Sequence, residues 1–131
     1  MLLLDTSVWI EVFRKPARFD LREIGGLDAV VTCLPVVQEV LQGFREESAF
    51  RAAREAMWAI QCIESPLSRE RFDEAAALYR AARRAGLTVR SSVDCLIAAC
   101  AVRHGVTVLH HDRDFTALAA VSPLVERSID A

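Results

Sequence analysis

The sequence predicts an α/β fold built on a mostly parallel sheet, and three observations carry that expectation. Short apolar or β-branched runs alternate with longer stretches of helical periodicity along the chain. The opening run, MLLL, is continuous rather than alternating, the pattern of a strand covered on both faces. No repeat, low-complexity tract or linker divides the 131 residues, so one domain over residues 1–131 with a single core is expected.

Taken in order, residues 1–4 form the first strand and stop at Asp5. Residues 6–13 have helical character and give way to a charged, proline-containing loop over 14–18. Residues 29–32 read as a second strand. The next helix opens near Pro35, tolerated in a first turn because no N–H partner is needed there, and runs to about Gly43. Residues 46–60 form a longer amphipathic helix, and Cys62 and Ile63 mark a short third strand. The helix over 68–85 has the clearest pattern: Ser68 suits its N-cap, Gly86 its C-cap, and Arg71, Arg80, Arg83 and Arg84 its polar side. Ser91 or Ser92 caps another helix that reaches His104 and ends at Gly105, its apolar stripe being Val93, Leu96, Ile97, Cys100 and Ala101. Residues 106–109 form a β-branched strand, and residues 124–126 one more.

Composition narrows the function classes. The hydrophobic fraction of 53% and the mean hydropathy of +0.23 are high for a small soluble domain. Such a surface is commonly covered by a second copy or another protein, so a homodimer, a partner protein or both are expected. No apolar run reaches the roughly 18 residues of a membrane span. The opening MLLLDTSVWI lacks a charged leading segment and meets an acid at Asp5, unlike a signal peptide, so a cytoplasmic location is expected. Cys33, Cys62, Cys95 and Cys100 are scattered with no C-x-x-C pair and read as reduced, small hydrophobes rather than disulfide or zinc ligands. The net charge of -2 decides nothing about nucleic acid. All basic residues but Lys15 are Arg, which suits bidentate phosphate contacts and equally a codon bias.

The chemistry concentrates in the acids. Ligands of an open parallel sheet bind beyond the carboxyl ends of its strands. Two strands here end in acid, at Asp5 and, through VTVLHHD, at Asp112, with Asp114 two residues on. Glu39 lies in PVVQEVLQG among apolar residues, and Asp94 in the first turn of the helix after Ser91 and Ser92. Each acid also has a plain structural use. Asp5 can cap the following helix, Asp94 can complete a capping box with Ser91, Asp112 can open a turn, and Glu39 can face water. Singly, none decides. If three or four converge, each like-charged pair at about 4 Å repels by roughly 4 kcal/mol at an effective dielectric near 20. Such a cluster takes up protons or binds a cation. An oxygen-only set suits Mg²⁺ or Mn²⁺ better than zinc, and Mg²⁺ held by carboxylates suits phosphodiester hydrolysis.

Three blocks that contain these acids are also similar to a known family. LLLDTSVWIEVFR, PVVQEVLQG and above all SSVDCLIAACAVRHGVTVLHHDRDF resemble the PIN-domain family in its VapC-type branch. The resemblance spans nearly the whole chain, and its last block is the most specific. It implies a three-layer α/β/α sandwich around the mostly parallel sheet, with an acidic pocket at the carboxyl edge. It implies that Asp5, Glu39, Asp94 and Asp112 hold Mg²⁺ or Mn²⁺, that Asp114 is an accessory acid, and that Thr6 supplies a hydroxyl near Asp5. The implied activity is endonucleolytic cleavage of RNA by metal-activated water. The implied partners are RNA, a small VapB-like antitoxin whose C-terminal tail covers the pocket, and a second copy of the chain.

Positive charge around the pocket would serve RNA. Arg14, Lys15 and Arg18 follow the first acid, Arg90 precedes the third and Arg113 follows the fourth; each is a candidate phosphate contact and equally a solvated surface residue. Trp9 and Trp58 could stack on bases, but their apolar helical surroundings favour core or dimer packing. His110 and His111 stand where many family members carry a small hydroxyl residue, and read as polar caps at a strand end or, for His111, a contact to substrate phosphate. Two other classes compete. The run from Asp112 to Thr116 looks like the opening motif of haloacid-dehalogenase-like phosphatases, but those need a late Lys and the only one is Lys15. A non-catalytic PIN-like binding module is the other, against which every expected acid is present.

Overall fold

The computed structural model describes residues 1–130. Five strands form one sheet: β1 (Leu2–Leu4), β2 (Val30–Cys33), β3 (Gln61–Ile63), β4 (Thr107–His110) and β5 (Glu126–Ser128). Every pairing is parallel and the order is β3-β2-β1-β4-β5, so the sheet is wholly parallel. Among the described residues six helices accompany it: α1 (Thr6–Phe13), α2 (Leu34–Gln42), α3 (Glu47–Trp58), α4 (Arg69–Arg84), α5 (Ser92–His104) and α6 (Arg113–Ala120). Two short 3₁₀ turns, Leu21–Ile24 and Leu27–Ala29, carry the chain into β2.

Successive side chains of a strand face opposite sides of a sheet. Leu3 and Leu4, Val30 through Cys33, and Val108 through His110 are all buried, so helices cover both faces at the centre. That is the three-layer α/β/α arrangement the resemblance implies. Helix α2 packs on α1 and α3, while α4, α5 and α6 pack on one another. The core is aliphatic and small, with Phe115, Met57, Ile97 and Leu118 its largest fully buried members beside the strand residues. Cys33, Cys95 and Cys100 are buried and all four cysteines are free, as small hydrophobes would be.

The order of strands places the site. The chain starts in the middle with β1, moves outward to β2 and β3, then returns to the other side of β1 for β4 and β5. The crevice between β1 and β4 is therefore the switch point, where the carboxyl ends of neighbouring strands open toward a ligand. Leu4 pairs with Leu109 across it, and the Asp5 N–H donates to the Leu109 carbonyl at 2.9 Å. Asp5 and Asp112 thus leave the sheet side by side.

Four expectations need correction. The last strand is Glu126–Ser128, not residues 124–126: Leu124 is buried, but its N–H turns to Ser122 Oγ. Arg71 is buried rather than on the wet side of its helix, because Glu64 and Glu74 meet its guanidinium at 3.5 and 3.1 Å. Ser91 is the N-cap residue of α5 but makes no side-chain cap bond, so the capping box with Asp94 does not form. Gly86 lies one residue past the C-cap, Ala85, and has the left-handed φ of +76° that leaving the helix requires.

Candidate metal centre

Asp5 follows β1 and caps α1: its Oδ2 accepts from the Ser7 N–H at 3.1 Å and from the Ser7 hydroxyl at 2.6 Å. The cap and the site are not alternatives, since Oδ1 stays buried with no hydrogen-bond partner. Asp112 follows β4 and caps α6 in the same way, its Oδ1 accepting from the Asp114 N–H at 2.9 Å. A short carboxylate at a strand-to-helix turn satisfies an orphan N–H with one oxygen and presents the other.

The remaining acids come from helices. Glu39 on α2 is half-buried, and its Oε1 accepts from the Thr6 hydroxyl at 2.9 Å. The Thr6 hydroxyl is therefore bonded to the acid that groups with Asp5. Asp94, in the first turn of α5, is only 4% exposed, and its Oδ2 is buried without a partner. Asp114 is 3% exposed and accepts from the backbone N–H groups of Arg90 and Ser91 at 3.0 to 3.1 Å, tying α6 to the start of α5.

These side chains converge. Asp5, Glu39 and Asp94 bring one oxygen each to within 4.8 Å of one another, and Asp94, Asp112 and Asp114 do the same. Asp94 belongs to both groups. Burial and the charges of its neighbours raise its pKa to about 9, burial being the larger cause and Asp5 the next. Burial likewise raises Asp5 and Glu39 above the usual carboxylate range, against the hydrogen bonds from Ser7 and Thr6 that lower them. The neighbouring Cys95 thiol is pushed up to about 11, so no thiolate competes for a cation.

The set fits a hard divalent cation. Its donors are carboxylate oxygens, it contains no His or Cys, and two buried oxygens lack any partner. A buried acceptor left unpaired is costly, and a cation supplies the missing interaction. Asp5 and Asp94, whose Oδ1 and Oδ2 are the unpartnered atoms, could provide it with Glu39, and Asp94 could do so with Asp112 and Asp114.

The model of the PIN domain matches residues 2–121, which hold all five acids. The chain belongs to the PIN-domain family. Within that family it is 37% identical to the VapC ribonuclease Mb1587 of Mycobacterium bovis over 129 residues, 95% of this chain and 96% of the relative. Its fold is similar to VapBC-5 of Mycobacterium tuberculosis, a member of the VapBC family of toxin–antitoxin systems, with a TM-score of 0.73, 24% identity and 97% of each chain covered. VapBC2 of Rickettsia felis, solved with a fragment of its promoter DNA, gives a TM-score of 0.75 at 14% identity, again over 97% of each chain.

For a PIN domain the surroundings of the pocket matter as much as its acids. Arg90 and Arg113 line a cleft of about 670 Å³ together with Asp114, and neither guanidinium makes an ion pair among the described residues. Arg14 is paired with Glu11 at 3.1 Å, and Lys15 and Arg18 are exposed in the loop after α1. Trp9 is buried and stacks on Phe13, which meets Phe44 edge-on, so it is a core residue. Trp58 is 49% exposed and is not.

Sequence reasoning missed two residues at this PIN site, Ser7 and Glu126. Ser7 links the Asp5 carboxylate to the β4 turn, because its hydroxyl also accepts from the His111 N–H at 3.0 Å. The Asp-x-Ser spacing was the available signal, since an Asp carboxylate commonly accepts from the N–H two residues on. His110 is the polar cap expected at the strand end, its Nδ1 accepting from the Asp112 N–H at 3.2 Å, and it is also buried at 2% exposure, packs on Phe115 and bonds Glu126 at 2.8 Å. Glu126 had no local signal at all.

Proposed function

We propose that this chain is the toxin ribonuclease of a VapBC-type toxin–antitoxin module, a Mg²⁺- or Mn²⁺-dependent endoribonuclease acting through Asp5, Glu39, Asp94 and Asp112. One observation carries the reading: two groups of three acids that share Asp94 lie at the β1/β4 switch point, with two buried carboxylate oxygens unpartnered. The ribonuclease name of a relative that matches nearly end to end supports the choice of reaction.

A divalent cation at such a site lowers the pKa of a water and offsets the charge on the phosphodiester oxygens. Asp5, through its unpartnered Oδ1, Asp94, through its unpartnered Oδ2, and Asp112 would hold the cation. Glu39 has Oε1 bonded to the Thr6 hydroxyl, and its free Oε2 would reach the cation through a water that it orients and whose proton it would take. Asp114, saturated by two backbone N–H groups, fixes the start of α5 and so the position of Asp94. Arg90 and Arg113 grip a phosphate flanking the scissile one, and Arg14 serves the opposite side once it leaves Glu11. The partner is a VapB-like antitoxin, in keeping with the VapBC complexes that share this fold, and its tail is proposed to cover the pocket. The exposed Phe72 and Tyr79, beside Val93 and Leu96, offer an apolar cleft for a second copy of the chain. No helix among the described residues is long and apolar enough to cross a membrane.

Cleavage of a structured RNA by the purified chain, freed of antitoxin, tests the reading. Activity is expected with Mg²⁺ or Mn²⁺ and not in EDTA, and an Asp94→Asn variant is expected to lose at least about 100-fold. Equal activity in Asp94→Asn sinks the assignment. A folded chain that cuts no RNA favours a non-catalytic module.

A further inference from the structure

We infer that His110, held by Glu126 on the edge strand, is the residue that positions Asp112 for its cation, an inference that rests on the metal-centre reading above. The Asp112 N–H donates to His110 Nδ1 at 3.2 Å, so Nδ1 is the unprotonated nitrogen. The proton is then on Nε2, which donates to Glu126 Oε1 at 2.8 Å. Both ring nitrogens are engaged in one tautomer, and the carboxylate of β5 selects it. The Thr116 hydroxyl donates to the same Glu126 oxygen at 3.1 Å, which fixes that carboxylate from α6. The ring itself is buried and its centroid lies 5.4 Å from that of Phe115.

The hydrogen bonds continue past Asp112. Its Oδ1 accepts from the Asp114 N–H, and Asp114 accepts from Arg90 and Ser91 at the start of α5, three residues before Asp94. An unbroken chain of polar contacts therefore runs from the edge strand, through His110, to the helix that bears Asp94. The cap bond occupies Oδ1 of Asp112, and Oδ2 is the oxygen left for a cation. A carboxylate whose backbone is pinned this way loses less freedom when it ligates. Residues that orient metal ligands from behind typically contribute about 10–100-fold in affinity. Glu126 also lies beyond residue 121, where the family match ends, so this brace extends outside the matched span.

Calorimetric titration of Mn²⁺ into the full chain tests the inference, with Asp94→Asn as the control for the site itself. His110→Leu fills the space but removes both ring bonds, and its Mn²⁺ affinity is expected to fall about 10–100-fold. His110→Asn returns an oxygen acceptor near Nδ1 for the Asp112 N–H and is expected to recover most of that loss. Glu126→Gln keeps an acceptor for Nε2–H and is expected to bind as the parent does, whereas Glu126→Leu falls with His110→Leu. The Glu126 side chain is 26% exposed at the sheet edge, so that pair stays readable if His110→Leu fails to fold. Undiminished Mn²⁺ affinity in a folded Glu126→Leu or His110→Leu overturns the inference and leaves the metal centre standing. No Mn²⁺ binding by the parent chain, or full binding by Asp94→Asn, overturns both.

Discussion

Asp94 concentrates the electrostatics of the molecule in one side chain. It is buried, its neighbours are acids, and its pKa is raised from 3.8 to about 9. Without a cation the folded chain therefore keeps a proton there that the unfolded chain releases above about pH 4. A raised carboxylate pKa favours the folded state at low pH and loses that advantage as pH rises toward the folded value. Asp5 and Glu39 shift in the same direction. In EDTA the melting temperature is expected to fall between about pH 5.5 and pH 8.5, and to fall less steeply in Asp94→Asn. Parallel slopes in thermal scans of the two proteins would show that Asp94 ionises normally. Mn²⁺ replaces the proton, so its stabilising effect is expected to grow with pH over the same window. At this scale the sequence showed which acids to watch, because strand ends and helix starts mark them. It did not show Ser7 or Glu126, whose bonds to His111 and His110 join residues distant along the chain.

Helix α6 shows how an element can be structural and functional at once. Asp112 caps it, Asp114 in its first turn braces α5, and Phe115 and Leu118 anchor it with no exposed surface. Phe115→Ala is expected to cost about 3–5 kcal/mol in urea unfolding, because it removes a fully buried ring. Phe72→Ala, at a 52% exposed position on α4, is expected to stay within about 0.5 kcal/mol for the monomer. A similar cost for both would mean that Phe72 is covered in solution. Elements with strong apolar periodicity were legible from sequence: β1, β2, β4, α2, α4 and α5 fall within a few residues of expectation. Strand β5 was misplaced because Glu-Arg-Ser has no apolar pattern, and an edge strand with one neighbour needs none. Arg71 was misread because the helix pattern shows a polar residue but not the Glu64 carboxylate that follows β3.

The whole molecule carries a net charge of -2, yet its acids and bases are not mixed evenly around the pocket. Five acids crowd the β1/β4 crevice, while unpaired Arg90 and Arg113 stand beside it. That arrangement suits a polyanion whose backbone is gripped next to the metal centre rather than on it. The wholly parallel sheet makes this possible: only its switch point brings two strand ends, and the helices behind them, to one place. The measurement that bears most directly on the function is anomalous scattering from a crystal of the chain grown with Mn²⁺. The expected result is a peak within ligand distance of Asp5, Asp94 and Asp112. A crystal in millimolar Mn²⁺ with no peak there, or with Mn²⁺ bound only elsewhere, would contradict it.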